Sequence, residues 1–262
     1  MRIATWNVNS LRVRLPQVLD WLAAQSSNGG IDALGLQETK LTDEAFPVAE
    51  FAAAGWNCAF SGQKTYNGVA ILSRHALTDV SRDLPGFADE QKRVIAATVA
   101  TPSGPLRFVN VYVVNGQSLD SEKYQYKLRF LAALRDYLRD ELARYPRLAV
   151  GGDYNIAPTP ADTHDPTLWE GNILCSDAER TGLRELFDLG LTDAFCLHPH
   201  EPGTFTWWDY RAAGFRRNLG LRIDHLLLSE PLAKACAGFR VDLIPRRNER
   251  PSDHAPVLVE IT

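Results

Sequence analysis

The chain of 262 residues lacks the features that mark several large classes of protein. No apolar run approaches the roughly 20 residues needed to cross a bilayer, so we expect no membrane partner. No repeat, low-complexity stretch or Gly/Ser linker divides the sequence, and we expect a single domain over residues 1–262. The four cysteines form no CxxC pair and have no histidine nearby at zinc-ligand spacing: they are Cys58, Cys175, Cys196 and Cys236. They predict inert thiols rather than a disulfide framework or a zinc site.

An export signal is also missing. The first residues, MRIATWNVNS, start directly on a strand-like pattern, without the apolar core and small-residue cleavage site of a signal peptide. We therefore expect a cytoplasmic protein.

The chain has no excess of positive charge, since its formal net charge is −4. Four acids that are singled out below account for this value, because the remaining formal charge without them is zero: Glu38, Asp153, Asp224 and Asp253. Basic residues nevertheless bunch in RAAGFRRNLGLR, residues 211–222, which contains no acid. Such a cluster either follows a phosphate backbone or forms a solvated surface.

What the sequence does contain is enough apolar material for a sizeable core, with 45% hydrophobic and 10% aromatic residues. Short runs rich in Val, Ile and aromatic residues predict strands. They are IATWNV, DALGLQ, GVAILS, VIAATVA, LRFVNVYVV, RLAVGG, TFTWW, DHLLLS, FRVDLI and PVLVEI. Apolar stripes predict helices around residues 15–22, from Ser121 or Lys123 to Pro146, and over residues 178–189. This alternation predicts an α/β sandwich, in which helices flank two facing sheets.

Short polar clusters, far apart in the sequence, follow several of these strand-like runs. Their members are Asn7 and Asn9, Glu38, Tyr112 and Asn115, Asp153 and Asn155, Asp224, and Asp253 and His254. Side chains at strand ends can converge on one cleft, and an acid-rich cleft with one histidine suits a hard cation held against a phosphate. The clusters therefore predict a metal-dependent phosphodiesterase.

Glu38 is the first candidate ligand for the cation. It ends a buried strand, from which it can reach a metal together with Asn7 at the end of the first strand. Mg²⁺ or Mn²⁺ takes oxygen ligands and keeps several waters, so one or two protein ligands suffice. The alternative for Glu38 is a surface charge paired with Lys40.

Asp153 and Asn155 are candidates for handling the water. They follow a strand with two glycines, where the backbone can approach a ligand closely. Asp153 could there orient or deprotonate a water for attack on phosphorus, and the alternative is a simple turn, GGDYN. The irregular segment of residues 153–180 is long enough to predict a functional loop.

Asp224 and His254 form the expected acid–histidine pair. A carboxylate favours the protonated imidazole, which can stabilise charge on phosphate oxygens. Asp253, beside the histidine, could add a ligand or a hydrogen bond. Tyr112 and Asn115 end another strand and offer hydroxyl and amide donors to a phosphate.

These residues carry a family resemblance that spans essentially the whole chain. The motifs WNVNSLR, LQETK, SGQKTYNGVAILS, GDYNIAP, FTWWDYR, GLRID and PSDHAPV resemble the exonuclease III family of abasic-site endonucleases. That family lies within the wider endonuclease/exonuclease/phosphatase superfamily. The resemblance implies a four-layer αββα sandwich and Mg²⁺ as cofactor, with Mn²⁺ as a substitute. It also implies a bacterial-type monomer that acts on double-stranded DNA with abasic sites or damaged 3′ ends, at the nucleoid.

Residue by residue, the resemblance implies three sets of roles. The metal site falls to Asn7, Glu38 and Asp253. Catalysis falls to Tyr112, Asp153, Asn155, Asp224 and His254, and whether Asp153 or His254 activates the water stays open. Further contacts with the substrate are expected from Asn9, Lys40, Asn115 and Arg211.

The motifs FTWWDYR and GLRID bear on the choice of substrate. In the family that they resemble, the corresponding side chains line a pocket for a flipped-out, baseless sugar, which implies Trp207, Leu221 and Ile223 here. One of Trp207 and Trp208 is expected in the core, because strand neighbours alternate. The loop EGNILCSDAER carries Leu174, which is bulky and apolar. If Leu174 leans into the pocket, it weakens abasic-site incision and leaves 3′-end cleavage intact.

The leading interpretation is a Mg²⁺-dependent DNA repair nuclease, which cleaves 5′ to abasic sites, processes 3′ ends, or does both. One alternative is a specialised 3′–5′ exonuclease and 3′-phosphatase with weak abasic-site incision. Another keeps the fold but acts on a small phosphate ester, and a third is a binding protein that has lost catalysis. The pocket motifs and the arginine clusters argue against the small ester, and the complete polar constellation argues against lost catalysis.

Overall fold

The computed structural model describes residues 1–26 and 29–262. Its strands are β1 (Arg2–Asn7), β2 (Ala33–Gln37), β3 (Asn57–Ser61), β4 (Val69–Ser73), β5 (Leu77–Arg82), β6 (Val94–Thr101), β7 (Gly104–Tyr112), β8 (Leu148–Asp153), β9 (Thr192–Asp193), β10 (Trp207–Trp208), β11 (Gly220–Leu221), β12 (Asp224–Leu228), β13 (Cys236–Val241) and β14 (Val257–Ile261). Its α-helices are α1 (Leu11–Gln25), α2 (Val48–Ala53), α3 (Glu122–Arg144), α4 (Pro166–Trp169), α5 (Asp177–Phe187) and α6 (Glu230–Lys234).

Most strands belong to two six-stranded sheets, while β10 and β11 form a separate ribbon. The first sheet has the order β13–β14–β1–β2–β4–β3, and the second has the order β5–β6–β7–β8–β12–β9. The pairs β1–β2 and β7–β8 are parallel. Helices α1 and α2 pack on the outer face of the first sheet, and α3 and α5 pack on that of the second. The predicted four-layer sandwich is confirmed.

Successive side chains of a strand point to opposite faces of its sheet, so each strand contributes to two of the three apolar layers. In β1, Ile3 faces the second sheet while Trp6 faces α1, and in β7 Phe108 and Val109 divide in the same way. All four side chains are fully buried. Full burial of a large apolar side chain contributes about 1.5–3 kcal/mol each. The repeated inward and outward burial therefore holds both sheets and both helical layers together.

A buried amide fixes how the two sheets meet. Asn110 of β7 donates through Nδ2 to two backbone carbonyls of the first sheet, at 2.8 and 2.9 Å. Its Oδ1 accepts from Gln37 Nε2 at 2.6 Å, and the same nitrogen donates to Thr5 Oγ1 at 2.8 Å. Buried amides are costly without partners, so these contacts select one alignment of the sheets. They lie just behind Glu38 and Tyr112, at the edge that carries the polar clusters.

The three predicted helices are present with clear ends. Helix α3 starts after Ser121, whose hydroxyl accepts the Tyr124 N–H at 3.0 Å, and it stops before Pro146. Helix α5 starts after Ser176 with a capping box and ends three residues before Gly190, which has a φ of +95°. A side-chain cap and a left-handed glycine are the devices that satisfy free helix ends.

The sequence patterns missed the edge strands β3, β5 and β9, the ribbon strand β11, and the short helices α2, α4 and α6. Strand β5 (LTDVSR) is largely exposed, so it lacks the buried alternation that marks a strand. The predicted strand TFTWW is regular only at Trp207–Trp208. The expected irregular segment, residues 153–180, is irregular over residues 154–176, where a 3₁₀ turn and α4 interrupt it, while residues 177–180 already belong to α5.

Among the described residues, none of the helices combines the length and the apolar character that crossing a bilayer requires. All four cysteines are free thiols, as predicted. Burial raises the pKa of Cys58 to about 12 and that of Cys175 to about 11. Thiols with such pKa values are poor nucleophiles at neutral pH.

We expect Gly152→Ala in β8 to destabilise the protein. A Cβ there would lie 2.0 Å from the Val111 carbonyl oxygen. Overpacking of this kind costs about 1–3 kcal/mol, which lowers the melting temperature by roughly 5 °C. Gly238→Ala is the control, because its Cβ would meet no atom closer than 3.9 Å. Equal melting temperatures of the two variants in calorimetry would contradict the prediction.

Candidate active site

The polar residues that follow the strands meet at one edge of the two sheets. Asn7 ends β1, and Glu38 directly follows β2, the parallel neighbour of β1. Asp153 at the end of β8 is paired in register with Tyr112 of β7 on one side and with Asp224 of β12 on the other. Strand order and register thus bring five predicted site residues together.

The Asn7 amide connects the acids of the two sheets. Its Nδ2 donates to Glu38 Oε1 and to Asp153 Oδ2, both at 2.9 Å. Its Oδ1 accepts the Asn9 backbone N–H at 2.9 Å. Asn7 itself is fully buried, so it holds the two carboxylates at a fixed separation, and its own oxygen accepts the Asn9 N–H.

A second chain of polar contacts runs outward from Glu38. Lys40 Nζ lies 2.9 Å from Glu38 Oε2 and 2.6 Å from Asn9 Oδ1. Asn9 Nδ2 donates to Asp253 Oδ1 at 3.0 Å, and Trp207 Nε1 donates to Asp253 Oδ2 at 3.0 Å. The Glu38–Lys40 ion pair therefore exists, but the Glu38 side chain is only 19% exposed. It belongs to the cleft rather than to a solvated surface.

The backbone of this chain is held in an unusual conformation. Asn9, Glu38 and Lys40 have φ values of 43°, 53° and 55°, in the left-handed region. Such conformations cost about 1–3 kcal/mol each and are concentrated at functional sites. Here they aim all three side chains at one point.

Asp224 and His254 form the predicted acid–histidine pair. His254 Nδ1 lies 3.0 and 2.9 Å from the two Asp224 oxygens, and its Nε2 lies 3.7 Å from Asp153 Oδ2. Burial opposes the imidazolium, but the charges of Asp224 and Asp153 outweigh it and raise the pKa of His254 to about 10. Burial raises the pKa of Asp153 to about 7, although the charge of His254 acts in the opposite direction. The neighbouring carboxylates therefore favour the protonated form of His254.

Two hydroxyl groups that the sequence did not single out hold this pair in place. Ser252 Oγ donates to the Asn7 carbonyl at 2.6 Å and accepts the His254 N–H at 3.2 Å. Thr206 Oγ1 accepts the Asp224 N–H at 3.1 Å. Their sole signal in the sequence is membership of the motifs PSDHAPV and FTWWDYR.

Asn155 lies beside Asp153 with a left-handed φ of 50°. Its backbone N–H donates to Asp153 Oδ1 at 2.9 Å, and its Nδ2 donates to Asp153 Oδ2 at 3.2 Å. Asn115 Nδ2 donates to Asn155 Oδ1 at 3.2 Å. The two predicted amides therefore touch each other and fix the orientation of the Asp153 carboxylate.

Tyr112 is a phenol that keeps its proton. Burial raises the pKa of Tyr112 well above its ordinary value, and the charges of Glu38 and Asp153 act in the same direction. The Arg93 guanidinium lies 4.7 Å from the centre of the Tyr112 ring. A neutral phenol at the cleft can donate a hydrogen bond to a phosphate oxygen.

An apolar cluster lies beside the polar cleft. It consists of Ala157, Trp169, Ile173, Leu174, Cys175, Trp207, Leu221 and Ile223. Within it, Leu174, Leu221 and Ile223 are only 3%, 0% and 1% exposed. Leu174 has a φ of 71°, which favours glycine. The Leu174 side chain therefore packs among the residues that the family resemblance assigned to a sugar pocket.

Trp207 and Trp208 divide as strand alternation predicts. Trp208 is 1% exposed, whereas Trp207 is half-buried, joins the apolar cluster and pairs with Leu221 across the β10–β11 ribbon. Arg211 is different, because its side chain is 88% exposed and pairs with Asp209 at 2.6 Å. The structure does not bring Arg211 into contact with the polar cleft.

Sequence reasoning also missed a buried ion pair behind the cleft. Lys127 Nζ lies 2.5 Å from Glu179 Oε1, and both side chains are 0% exposed. The available signal was a lysine on the apolar face of a predicted helix, one turn before Phe130 and Leu131.

The donor groups fit a hard cation on the Glu38 side of the cleft. One group among the described residues has its ligand atoms within 4.8 Å of one another: Asp153, Asp224 and His254. Within this group, His254 Nδ1 and the two Asp224 oxygens already face each other at 2.9 to 3.0 Å, which leaves fewer free ligand atoms for a metal. Around Lys40 the donors are oxygens, and its ammonium already lies between Glu38 and Asn9. A site that holds one cation among oxygens suits Mg²⁺ or a similar ion.

Comparison with known proteins agrees with this geometry. Residues 4–254 match the profile of the Endonuclease/Exonuclease/phosphatase family. The chain belongs to the endonuclease/exonuclease/phosphatase family.

Three members of this family illustrate the range of relatives. Exodeoxyribonuclease III from Haemophilus influenzae is 37% identical over 269 residues, with 99% of each chain covered. The structure of a 3′ phosphatase from Neisseria bound to a product DNA hairpin has a TM-score of 0.94 and 51% identity, covering 100% of this chain and 99% of that one. An AP endonuclease from Archaeoglobus fulgidus has a TM-score of 0.92 and 38% identity over the same shares.

These relatives confirm the main functional prediction. This endonuclease/exonuclease/phosphatase family member is a hydrolase and a DNA repair nuclease. The family is metal-dependent, and the acidic cleft offers donors that suit a metal ion.

We expect Asp224→Asn to lower the pKa of His254 from about 10 toward its ordinary value of 6.5. A folded-state pKa above the unfolded value adds stability that is full below pH 6.5 and is lost as the pH rises toward 10. As the pH rises from 6.5 to 10, the melting temperature of the variant should therefore fall less than that of the wild type. NMR titration of the His254 imidazole in metal-free protein measures the pKa directly. Asp32→Asn is the matched control, since Asp32 pairs with His75 at 2.7 Å, and an equal effect of both variants would refute the assignment.

Proposed function

We propose that this family member processes the 3′ ends of double-stranded DNA. It removes 3′ nucleotides as an exonuclease, or a terminal phosphate as a phosphatase, and it incises abasic sites weakly. The observation that carries the proposal is the packing of Leu174 against Leu221 and Ile223. The higher identity to the Neisseria 3′ phosphatase, 51% against 38% for the AP endonuclease, supports the same choice.

A baseless sugar that leaves the duplex needs an apolar pocket of its own size. Leu174 fills that volume, and hydrogen bonds hold both its backbone N–H and its carbonyl. Its N–H donates to Glu179 Oε1 at 3.1 Å, and its carbonyl accepts the Ala157 N–H at 2.8 Å. A phosphate at the 3′ end of a DNA strand does not require a pocket for an internal sugar. Leu174 therefore obstructs only the abasic substrate.

Incision 5′ to an abasic site is the second candidate activity. The apolar floor of Trp207, Leu221 and Ile223 is retained, and this observation favours the activity. In that case Leu174 moves aside when the sugar enters, and abasic duplexes are cleaved as fast as 3′ ends.

Tyr112, Asn115 and His254 are suited to hold the phosphate. The phenol and the amide donate hydrogen bonds, and the imidazolium faces the growing negative charge on the phosphate oxygens. His254 stays charged because Asp224 is bound to its Nδ1. On this proposal, Lys40 and Arg211 contribute positive charge toward the DNA strand.

Asp153 is suited to activate the water. The two Asp224 oxygens at His254 Nδ1 favour its protonated form, which accepts no further proton, whereas burial raises the pKa of Asp153 to about 7. A base with that pKa works well at neutral pH. As the water oxygen bonds to phosphorus, its proton moves to Asp153 and the opposite P–O bond breaks. The leaving group is the 3′ oxygen of the DNA strand, and Asn7 and Asn155 keep the carboxylate aligned.

Of the predicted metal residues Asn7, Glu38 and Asp253, the last two would hold the metal, which we propose is Mg²⁺, with Mn²⁺ as a substitute. Asn9 would take the place of Asn7, because the Asn7 amide donates to Glu38 and Asp153. When bound, the ion neutralises charge on the phosphate and leaving oxygen. Asn7 then serves as a bridge that keeps Glu38 apart from Asp153. A monomer acting on DNA in the bacterial cytoplasm completes the proposal.

Leu174→Gly tests the choice of substrate. We expect the ratio of abasic-site incision to 3′-phosphate removal to rise at least tenfold, about 1.4 kcal/mol, because the pocket opens and the left-handed backbone is retained. Two labelled duplexes on a gel, one with an abasic analogue and one with a 3′ phosphate, give both rates.

Leu174→Met is the matched control, because it keeps the pocket filled, and its ratio should equal that of the wild type. His254→Ala excludes contaminating nucleases. An unchanged ratio in Leu174→Gly, or rapid abasic incision by the wild type, would overturn the preference for 3′ ends.

Glu38→Gln tests the metal site. We expect Mn²⁺ affinity, measured by electron paramagnetic resonance, to fall by at least about tenfold, since a charged oxygen ligand is lost. The exposed Glu230→Gln serves as the control and should bind as the wild type does. Undiminished binding in Glu38→Gln would place the ion elsewhere.

A further inference from the structure

The Lys127–Glu179 pair lies where three loops of the site meet. Lys127 is on α3 and Glu179 is on α5, and both are 0% exposed. Burial lowers the pKa of Lys127, although the charge of Glu179 favours the ammonium. A buried ion pair is a poor source of stability by itself, because desolvation offsets the attraction. Its presence therefore calls for another explanation.

The ammonium of Lys127 holds two loops by their backbone. It donates to the Asn155 carbonyl at 2.7 Å and to the Asn115 carbonyl at 3.1 Å. We name residues 153–157 the catalytic loop and residues 113–117 the phosphate loop. With Glu179 as the third acceptor at 2.5 Å, all three N–H donors of the ammonium are used.

The carboxylate of Glu179 holds the third loop, residues 172–176, which we name the pocket loop. Glu179 Oε1 accepts the Leu174 N–H at 3.1 Å. Glu179 Oε2 accepts the backbone N–H of Ser176 at 3.1 Å and its hydroxyl at 2.7 Å. The loops also touch directly, because a Cβ on Gly116 would lie 2.8 Å from Ile173 Cδ1.

Two of the fastened residues have strained backbones. Asn155 has a φ of 50° and Leu174 a φ of 71°, and each gives one backbone group to the pair. Left-handed backbone persists when its surroundings over-determine it. In Asn155 that conformation sets both donors to Asp153.

We propose that Lys127 and Glu179 are a positioning pair, which holds the catalytic, phosphate and pocket loops in one alignment. Lys127 fixes the position of the Asn155 backbone and thereby the orientation of the Asp153 carboxylate. Glu179 fixes the position of the Leu174 backbone. Both side chains are 0% exposed, so neither is available for contact with DNA. The inference requires DNA cleavage by this site but not the preference for 3′ ends.

The chain supplies a matched control on the same helix. Glu141 of α3 forms an ion pair with Arg107, and the two side chains are 2% and 3% exposed. Arg107 also donates to the Asp79 carbonyl and to Ser81 Oγ, which belong to the edge strand β5 rather than to the site. We therefore expect loss of this pair to lower stability without affecting the site loops.

The experiment compares the double variants Lys127→Met/Glu179→Gln and Arg107→Met/Glu141→Gln. Neutralising both partners avoids leaving a lone buried charge. We expect both to melt below the wild type, but only the first to lose kcat, by roughly 10–100-fold with KM within about threefold. The substrate is whichever duplex, abasic or 3′-phosphorylated, the wild type cleaves faster, so failure of the 3′-end preference leaves this test intact.

Two single variants complete the test. Lys127→Arg keeps the charge and the donors, and we expect it to retain at least about a third of the wild-type kcat. If the double variant does not fold, Glu179→Asp is compared with Glu141→Asp, and only the former should lower kcat. Equal kcat in the site and control variants, or a Lys127→Arg enzyme as slow as the double variant, would overturn the proposal.

Discussion

The register of β8 determines where the site forms. This strand has a parallel neighbour on one side and an antiparallel neighbour on the other, so its last residue, Asp153, is level with Tyr112 and Asp224. Such close pairing requires glycine directly before the acid, since a Cβ on Gly152 would lie 2.0 Å from the Val111 carbonyl oxygen. A slip of one residue would turn Asp153 to the opposite face and separate the three groups.

The cleft tolerates its acids because each is partnered. Glu38 is paired with Lys40, Asp224 with His254, and the Asp153 carboxylate with two asparagine amides. Unpartnered buried charge is far more costly than unpartnered apolar surface, so removing one member of this network leaves the polar group of its partner uncompensated. The same rule explains why the pocket loop and the catalytic loop share one buried ion pair.

The position of the polar residues at the ends of the strands could be predicted from the sequence, because a polar cluster after an apolar run is a local pattern. The contacts between them could not, since Asn7 and Asp153 are 146 residues apart and nothing local encodes their meeting. Strand β5 was missed because an exposed edge lacks alternation. Lys127 was missed because its partner, Glu179, lies 52 residues away on another helix. The family resemblance suggested the pocket, but the direction of Leu174 required coordinates.

The site contains residues from the first strand, β1, and from the loop that precedes the last strand, β14. These two strands pair with each other, and Ser252 Oγ in that loop donates to the Asn7 carbonyl. Ribosomes add about 5–20 residues per second, so Asn7 is made roughly 10–50 seconds before His254. Throughout that time the growing chain has an incomplete cleft and no imidazolium. A chain that ends before residue 254 therefore lacks the Asp224–His254 pair, and the cleft is complete only when nearly all of the chain has been synthesised.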